Sequence, residues 1–391
     1  MKQRLYKFLS LKTIGIIYLL VTIGASLHRY FLGIGHYNNY LIFKDSFVHF
    51  FYKLNLYVSY PTVDLFKYSP TFAILMAPFA ALPDWLGLIL WNLVNTMLFF
   101  YAIKRLQVAH KLKVFVLVFA LVELITSVQN SQSNGLLAGL MILSFSYFEN
   151  QKTIQTAISL SLAFFIKLFG AATGLCFVFY RKRFSFLMYA VLAASVLFII
   201  PFIIGGKEYV TNQYTHWFAL LSNDQSHELN FSFKTMLEAI LHTTLHSTSF
   251  LIFGIVLLLL PLANTKQFSN PDYRLLYLCS VLLWSVIFNH KAESPTYIIA
   301  VAGLAIVFAH QYARRNWIVV IVIAFVLTSL SSTDLFPRYI REEFLKPYRL
   351  KALASVCLWL YIQLVFIAAL LRGSRVELSS AWLINVQSGK V

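Results

Sequence analysis

The chain has 391 residues, of which 59% are hydrophobic and only 12% are charged. No soluble domain of this length needs so large an apolar share, so the composition excludes an ordinary soluble globular protein. The net charge of +17 is divided among many short segments, and no continuous stripe of basic and aromatic residues indicates a nucleic-acid partner.

Apolar runs with few or no charges recur along the whole chain. A bilayer core of about 30 Å takes roughly 20 apolar residues as a helix, and fewer where a helix is short. The pattern therefore predicts an all-α polytopic membrane protein with about twelve spans, within a range of roughly 10 to 13. The predicted spans are approximately 13–32, 85–103, 114–127, 135–148, 153–166, 168–180, 184–204, 248–264, 275–289, 296–311, 316–331 and 352–371.

We expect three longer segments to lie on the outer side of the membrane and to contain short amphipathic helices. They are a first outer loop (34–69), a second large outer loop (205–247) and a basic outer loop (332–351). The apolar segment 70–82 is short and ends before Pro83, so we predict a re-entrant or interfacial helix there. Residues 1–391 are predicted to form one integral membrane domain.

The basic residues predict the orientation of the chain. With segment 70–82 left out of the count of spans, Lys and Arg gather in the loops predicted inside. This bias indicates a multi-pass protein of the inner (plasma) membrane with both termini in the cytoplasm. The inside residues are Lys2, Arg4, Lys7, Lys12, Lys104, Arg105, Lys111, Lys113, Arg181, Lys182, Arg183, Arg314 and Arg315.

The run 153–180 starts and ends beside segments that are predicted inside, so it must cross an even number of times. Two short helices satisfy this condition if the chain turns near Lys167, which places that lysine at or just below the outer surface. One long tilted helix, from which Lys167 snorkels to the surface, is the alternative.

Basic residues are also frequent on the predicted outer side, and the stretch 337–351 is too short to escape the positive-inside bias. A site for phosphate explains them, because Arg and Lys bind phosphate through charge-assisted hydrogen bonds. The alternative is a solvated helical face that Glu342 and Glu343 neutralise. The residues predicted to bind the phosphate of a donor are Lys67, Lys167, Lys291, Arg338 and Arg341.

No glycine-rich nucleotide loop and no cluster of metal ligands occurs in the sequence. We therefore expect no metal and no cofactor, and a substrate that is already activated. A sugar on a lipid phosphate fits this requirement, because it arrives through the membrane and carries its own leaving group.

Five segments in order resemble glycosyltransferase family 87: NNYLIFKDSFVHFFYKLNLY (38–57), FKYSPTFAILMAPFAALP (66–83), LWNLVN (90–95), QNSQSNGLLAGLMIL (129–143) and AFFIKLFGAATG (163–174). The resemblance runs over roughly residues 36 to 220, and further on it rests on hydropathy and on SPTY (294–297). It implies a C-type glycosyltransferase fold, similar to mannosyltransferases that use polyprenyl-phosphate mannose. It also implies inverting transfer of a hexose, with a carboxylate of the first outer loop as general base.

The family motif begins with an aspartate, and aligning its later tyrosine with Tyr57 puts Asn39 at the aspartate position. An amide cannot accept a proton as a base does, so we expect another outer carboxylate to act: Asp64 first, then Asp45 and Glu293. Each of these is otherwise an ordinary solvated loop carboxylate. Glu123 lies inside a predicted span, where an acid is expensive, and it is either catalytic or the structural partner of an outer Lys or Arg.

Amide side chains gather where two predicted spans meet on the outer side. Amides donate and accept at once, which suits sugar hydroxyls, although helix capping and bonds between spans explain them equally well. Trp217 is either a stacking surface for a sugar or an interfacial anchor. The residues predicted to bind sugar or acceptor are Asn39, Tyr68, Gln129, Asn130, Gln132, Asn134 and Trp217.

These features predict a hexosyltransferase whose partners are a polyprenyl-phosphate sugar, a glycan or glycolipid acceptor and membrane lipids. The alternatives are a lipid-linked-glycan flippase or transporter, and a weakened member that binds lipid-linked sugar without efficient transfer. A transporter should carry charged residues along a pathway at mid-membrane. Apart from Glu123 and Lys167, the predicted spans lack them.

Two single cysteines test the predicted orientation. We expect Ser59→Cys to react with an impermeant thiol reagent in intact cells, because it lies in the first outer loop. Gln107→Cys should not react, because its loop is predicted in the cytoplasm. Permeabilised cells, in which both should react, are the control, and labelling of Gln107→Cys alone in intact cells would overturn the orientation.

Overall fold

The computed structural model describes residues 10–61, 63–223, 230–312 and 314–378. Within these ranges the chain is all-helical, with 78% in helices and no β-strand. The all-α class predicted from the sequence is confirmed. In chain order the helices are α1 (Leu11–Phe31), α2 (Asn38–Phe51), α3 (Pro70–Leu75), α4 (Ala77–Ala80), α5 (Asp84–Arg105), α6 (His110–Gln129), α7 (Asn134–Glu149), α8 (Thr153–Ile166), α9 (Arg183–Gly205), α10 (Lys207–Asn223), α11 (Phe233–Leu241), α12 (Ser247–Leu259), α13 (Pro271–Ile287), α14 (Tyr297–Gln311), α15 (Arg315–Phe325), α16 (Arg338–Ile340) and α17 (Leu353–Arg372).

Non-α helical turns join or extend several of these helices. Short 3₁₀ helices occupy Ile34–His36, Leu168–Phe179, Leu260–Ala263, Thr265–Gln267, Ser294–Thr296 and Leu350–Ala352, and π-helical turns occupy Val326–Leu330 and Arg341–Leu345. Helices α2, α10, α11 and α16 fall within the segments predicted as outer loops. That these segments are loops on the outer side stays a prediction.

Six helices in the described ranges are long and apolar enough to cross a membrane. They are α1, α5, α6, α9, Ser294–Gln311 around α14, and Leu350–Arg372 around α17. Four shorter apolar helical segments coincide with predicted spans, namely Thr153–Ile166, Leu168–Phe179, Ser247–Ala263 and Arg315–Leu330. The helices are those of a membrane protein, and the count of about twelve spans stays a prediction.

The chain divides into two compact units. The first takes the described parts of Met1–Gln107, Leu124–Gly174 and Lys182–His227, and the second takes those of Val108–Glu123, Leu175–Arg181 and Glu228–Val391.

Buried hydrogen bonds join α1 to α5 in the first unit. The Thr22 hydroxyl donates to the Thr96 hydroxyl at 3.0 Å, and the Asn92 amide donates to the Ser26 hydroxyl at 2.9 Å. Small and polar residues at such contacts are typical of membrane helices, which gain little from the hydrophobic effect on each other. These bonds fix α5 against α1.

The chain of the first unit reverses at Lys167. This residue follows α8 and is extended, with φ −145° and ψ 128°. A Cβ added to Gly170 would lie 2.6 Å from the Ala163 carbonyl oxygen, and one added to Gly174 would lie 2.9 Å from the Leu160 side chain. Residues later in the chain therefore contact residues earlier in α8, so the chain runs back antiparallel to α8. The turn predicted at Lys167 is confirmed, and the single long helix is wrong.

The apolar segment 70–82 forms a broken helix, of which the first part, α3, is largely buried and the second, α4, is not. Ser69 caps α3 by accepting a hydrogen bond from the Phe72 amide at 3.1 Å, and Pro70 stands at the first helical position, where its missing N–H costs nothing. The hydroxyls of Thr71 and Tyr214 hydrogen-bond at 3.0 Å and hold α3 against α10. The helix break fits the predicted re-entrant element, and its depth in the membrane stays a prediction.

The core of the second unit is built around α13 and α14, whose residues are almost all buried. Gly303 lets the two helices approach, since an added Cβ would lie 3.0 Å from the Cys279 carbonyl oxygen. After α13, the Phe288 ring packs against Trp359 at 5.0 Å and against Phe250 at 5.3 Å between ring centroids. The aromatic contacts tie α12 and α17 to the end of α13.

Helix α9 is exposed over most of its surface, in contrast to α14. Phe184 is 84% exposed and Ile203 is 78% exposed. Apolar surface of this extent is tolerated where lipid, rather than water, surrounds it. α9 therefore has the surface of a lipid-facing helix.

Gly170 and Gly24 provide a matched test of the hairpin at Lys167. In Gly170→Ala the new methyl group would meet the Ala163 backbone, so we expect overpacking that costs about 1–3 kcal/mol. Nothing lies within 4 Å of an added Cβ at Gly24, so Gly24→Ala should keep or slightly raise stability, since Ala is the better helix former by about 1 kcal/mol. Thermal unfolding of the purified protein in detergent measures both, and equal midpoints would contradict the close packing.

Candidate functional site

The polar turn, residues 130–133 between α6 and α7, lies at the centre of the first unit's site. The Trp91 indole N–H donates to the Ser131 carbonyl at 2.8 Å, and the Asn95 side-chain oxygen accepts the Leu136 amide at 2.9 Å. Ser131 is fully buried and has a left-handed backbone with φ 51°. Such a backbone persists only where its surroundings determine it, so α5 sets the conformation of the polar turn.

Three predicted site residues meet beside this turn. The Lys167 ammonium donates to the Asn134 side-chain oxygen at 2.8 Å and lies 5.6 Å from the centre of the Tyr68 ring. The Asn134 amide in turn donates to the Gln132 side-chain oxygen at 2.9 Å, and the Ser133 hydroxyl donates to the Tyr68 hydroxyl at 3.2 Å. We name Tyr68, Gln132, Asn134 and Lys167 the lysine cluster.

The backbone around Lys167 is held in place from both sides. The Ser69 hydroxyl donates to the carbonyl of Phe165 at 2.5 Å, and the Gly170 amide donates to the carbonyl of Lys167 at 2.8 Å. Ser69 also begins α3, directly after Tyr68. A hydrogen bond from a side chain to the main chain therefore fixes the residue after Tyr68 to the segment just before Lys167.

Two adjacent asparagines at the start of α2 reach two different parts of the site. The Asn39 amide donates to the carbonyl of Asn130 in the polar turn at 2.9 Å. The Asn38 amide donates to the carboxylate of Asp64 at 2.5 Å. A carboxylate at position 39 could not donate this bond, because an ionised carboxylate only accepts hydrogen bonds. Asn39 therefore acts here as a hydrogen-bond donor.

The segment that leads to Asp64 contacts α2 at two places. Tyr60 stacks on His49, with ring centroids 3.9 Å apart, and Asp64 binds Asn38, eleven positions before His49. Asp45 lies on the same face of α2, because seven and four residues are whole turns of a helix. The two carboxylates Asp64 and Asp45 thus line one side of α2.

Asp45 is half-buried, and burial is the main reason why its pKa is raised above the ordinary value. The neighbouring charges of His49 and Lys44 oppose this shift of the pKa. Burial also lowers the pKa of His49, against the opposite effect of Asp45. Asp64 differs from Asp45 in being exposed.

The predicted residues Lys67 and Trp217 meet through the main chain. The Trp217 indole N–H donates to the Lys67 carbonyl at 3.2 Å, and only 5% of Trp217 is exposed. The Tyr57 hydroxyl donates to the next carbonyl, that of Tyr68, at 2.8 Å. Trp217 is therefore a buried support for Lys67 rather than an open stacking surface. Gln129 is half-buried at the end of α6, directly before the polar turn.

In the second unit, Lys291 and Glu293 lie on a tight turn, residues 289–293, between α13 and α14. The Lys291 and Ala292 amides donate to the side-chain and main-chain oxygens of Asn289, at 3.0 Å and 3.1 Å. The Ala292 carbonyl accepts the Phe231 amide at 2.8 Å. Burial lowers the pKa of His290 in the same turn. We name this segment the 289–293 turn.

Arg341 and Arg338 differ in their surroundings. Arg341 forms ion pairs with Asp334 at 2.5 Å and with Glu342 at 3.2 Å, and Lys346 also binds Glu342, at 2.8 Å. Arg338 is exposed. The acids of this basic segment therefore neutralise Arg341, as the alternative of a solvated helical face requires.

Glu123 is the partner of a lysine in the second unit. Lys351 donates to both carboxylate oxygens of Glu123 at 3.0 Å, and the side chains are 0% and 1% exposed. Lys351 also lies 5.3 Å from the centre of the Tyr297 ring. The structural partner expected for Glu123 is thus Lys351.

The first unit brings most of its predicted residues together, while the second holds the others separately. The polar turn, the lysine cluster and Asn39 are joined by direct contacts, and Asp64 joins them through Asn38. Asn38 and Ser133 were missed by the sequence reasoning, although both stand beside predicted residues. No group of three or more His, Cys, Asp or Glu side chains within the described ranges is placed to hold a metal ion.

Residues 66–333 match the sequence profile of Glycosyltransferase family 87. The chain belongs to glycosyltransferase family 87. The match includes the lysine cluster, the polar turn and the 289–293 turn, so the family 87 sequence continues well beyond residue 220, where the recognised motifs thin out. The segment 38–57, with Asn39, lies before the match. No curated protein matches the chain. Family membership and the apolar helices together make this protein a membrane glycosyltransferase.

Proposed function

We propose that this glycosyltransferase moves a hexose, such as mannose, from a polyprenyl-phosphate donor to a hydroxyl of a glycan or glycolipid, with inversion. The reaction takes place on the outer face of the inner membrane, both termini are cytoplasmic, and neither a cofactor nor nucleic acid takes part. The observation that carries the proposal is the lysine cluster, in which one cation is oriented by Asn134 and Tyr68. Transfer from a polyprenyl-phosphate donor needs such a cation to stabilise the departing phosphate.

The transfer forms one bond and breaks another at the anomeric carbon of the sugar. The acceptor oxygen attacks this carbon, the bond to the phosphate oxygen breaks, and the lipid phosphate leaves with the electron pair. Lys167 stabilises the charge that develops on the phosphate, because a cation fixed in advance needs no reorganisation during the reaction. The acceptor proton passes to a carboxylate that serves as general base.

The polar turn suits the sugar of the donor. Four amide side chains lie within six positions, at Gln129, Asn130, Gln132 and Asn134. The Asn134 amide orients Gln132 by a hydrogen bond. Amides offer both donors and acceptors, as sugar hydroxyls require. Asn134 links this group to Lys167, which keeps the sugar subsite next to the phosphate subsite.

Asp64 is the proposed general base. Its carboxylate is exposed, so an acceptor hydroxyl can approach it, and the Asn38 amide orients it. Asn38 and Asn39 are consecutive, so one end of α2 holds both Asp64 and the polar turn. Asp45 and Glu293 are lesser candidates for the base.

Lys291, Arg338 and Arg341, which the sequence predicts to bind donor phosphate, belong to the second unit. Arg338 is the most exposed of the three, whereas Arg341 is neutralised by nearby acids.

A flippase or transporter is less well supported, because Glu123 and Lys351 neutralise each other instead of lining a charged pathway. A weakened member that binds lipid-linked sugar is the second candidate, since Asn39 donates to the Asn130 carbonyl and cannot be a base.

Lys167→Ala tests the lysine cluster. We expect kcat/KM for a polyprenyl-phosphate hexose to fall about tenfold to hundredfold, because a hydrogen bond to a charged group contributes about 1.5–3 kcal/mol. The protein should remain folded and inserted. Initial rates with a panel of polyprenyl-phosphate hexoses measure the effect, and Lys152→Ala, an exposed lysine before α8, is the control. An unchanged donor kcat/KM removes Lys167 from the site.

Asp64→Asn tests the general base. The change keeps size but removes basicity, so kcat should fall by about 10² to 10⁴ while donor binding is retained. Asp45→Asn and Glu293→Gln are parallel variants, and Glu208→Gln, an exposed acid on α10, is the control.

Normal turnover in all three carboxylate variants would place the base elsewhere. If Asn39→Asp alone creates or raises transfer activity, the natural protein is the weakened member that binds lipid-linked sugar.

A further inference from the structure

The buried pair of Glu123 and Lys351 has no part in the proposed transfer. Both side chains are almost completely buried and belong to helices that are apolar enough to cross a membrane. Taking two charges out of water is expensive, and well-packed apolar residues of similar size often serve stability as well or better. The presence of the pair therefore calls for a role other than stability.

The contacts of Lys351 lead to Tyr297, the first residue of α14. Glu123 holds the ammonium with two hydrogen bonds of 3.0 Å, and this fixed cation lies over the Tyr297 ring. A cation attracts the face of an aromatic ring, so its position orients the ring. Tyr297 is fully buried, which leaves the ring little room for another orientation.

Tyr297 is in turn bonded to the segment that supports the 289–293 turn. Its hydroxyl donates to the carbonyl of Phe231, and the amide of Phe231 donates to the carbonyl of Ala292 at 2.8 Å. Phe231 thus uses both main-chain groups as a bridge between Tyr297 and Ala292. The residues on either side of Ala292 are Lys291 and Glu293.

We propose that Glu123 and Lys351 are positioning residues, which hold the 289–293 turn in the geometry for donor use through Tyr297 and Phe231. This inference rests on the proposed function, in which Lys291 contacts the donor phosphate. The pair itself touches neither substrate. The charges of the pair matter because the Lys351 cation orients the Tyr297 ring, and the Tyr297 hydroxyl holds Phe231.

The double variant Glu123→Gln/Lys351→Met tests the proposal without leaving one buried charge unpaired. The matched control is Ser280→Ala/Gln363→Met, which removes another buried polar pair of the second unit, joined at 2.7 Å. Tyr297→Phe is a milder second variant that keeps the ring but removes the bond to Phe231. If the double variant does not fold, Tyr297→Phe alone tests whether the pair positions the turn.

Each variant is combined with Lys291→Cys, and the rate of modification by an impermeant thiol reagent reports the geometry of the turn. We expect this rate to change at least about threefold in the double variant and in Tyr297→Phe, because a turn that loses its anchor opens locally more often. In proteins that keep Lys291, the donor KM should rise by about twofold to tenfold in Tyr297→Phe, the range for one hydrogen bond. The control should leave both quantities unchanged.

An unchanged labelling rate, or an unchanged donor KM in variants of a transfer-competent protein, would overturn the proposal, whatever happens to thermal stability. If the wild-type protein uses no polyprenyl-phosphate hexose, the proposed function fails by itself. The labelling rate then still decides whether the pair positions the turn.

Discussion

A polar face on α5 organises the whole first unit. Trp91, Asn92, Asn95 and Thr96 project from little more than one helical turn of an otherwise apolar helix, and each is bonded to another part of the unit. Asn92 and Thr96 fix α1, Trp91 fixes the polar turn, and Asn95 fixes the first turn of α7. In surroundings without water every buried polar group needs a protein partner, so these four side chains decide which segments can pack against α5. The polar turn, and through it the lysine cluster, depends on this helix.

The sequence could predict that several residues of the first unit lie together, because their signals are local in the sequence. The amides of the polar turn interrupt an apolar run, and Lys167 interrupts another, so each break was visible before any contact was known. The partner of Glu123 could not be predicted in this way, because Lys351 is 228 positions away. The burial of Trp217 could not be predicted either, because an indole in a polar segment is expected to be exposed and its contact with Lys67 is 150 positions away. Short helices such as α8 also leave the number of crossings open, because length alone does not define a span.

The two units treat their charges differently. In the first, Lys167 is oriented by a neutral amide and a ring, which keeps its positive charge uncompensated by these partners. In the second, Glu123 cancels the charge of Lys351, and removing one partner of such a buried pair typically costs about 3–5 kcal/mol. A cation beside neutral groups is suited to an incoming anion, whereas a compensated cation is suited to holding structure. The same residue type therefore serves two purposes in one chain.

The exposed apolar surface of α9 is suited to contact with lipid along the length of the helix. This helix has 23 residues, so at 1.5 Å per residue its length is about 35 Å, more than a hydrocarbon core of about 30 Å. A helix longer than the core fits by tilting, by kinking or by thickening the bilayer locally, and Pro201 lies inside α9. α10 follows it after the single residue Gly206, whose φ of 87° suits glycine, and α10 carries the indole that supports the Lys67 carbonyl. α9 thereby connects the lipid-facing surface of the first unit to a backbone next to the lysine cluster.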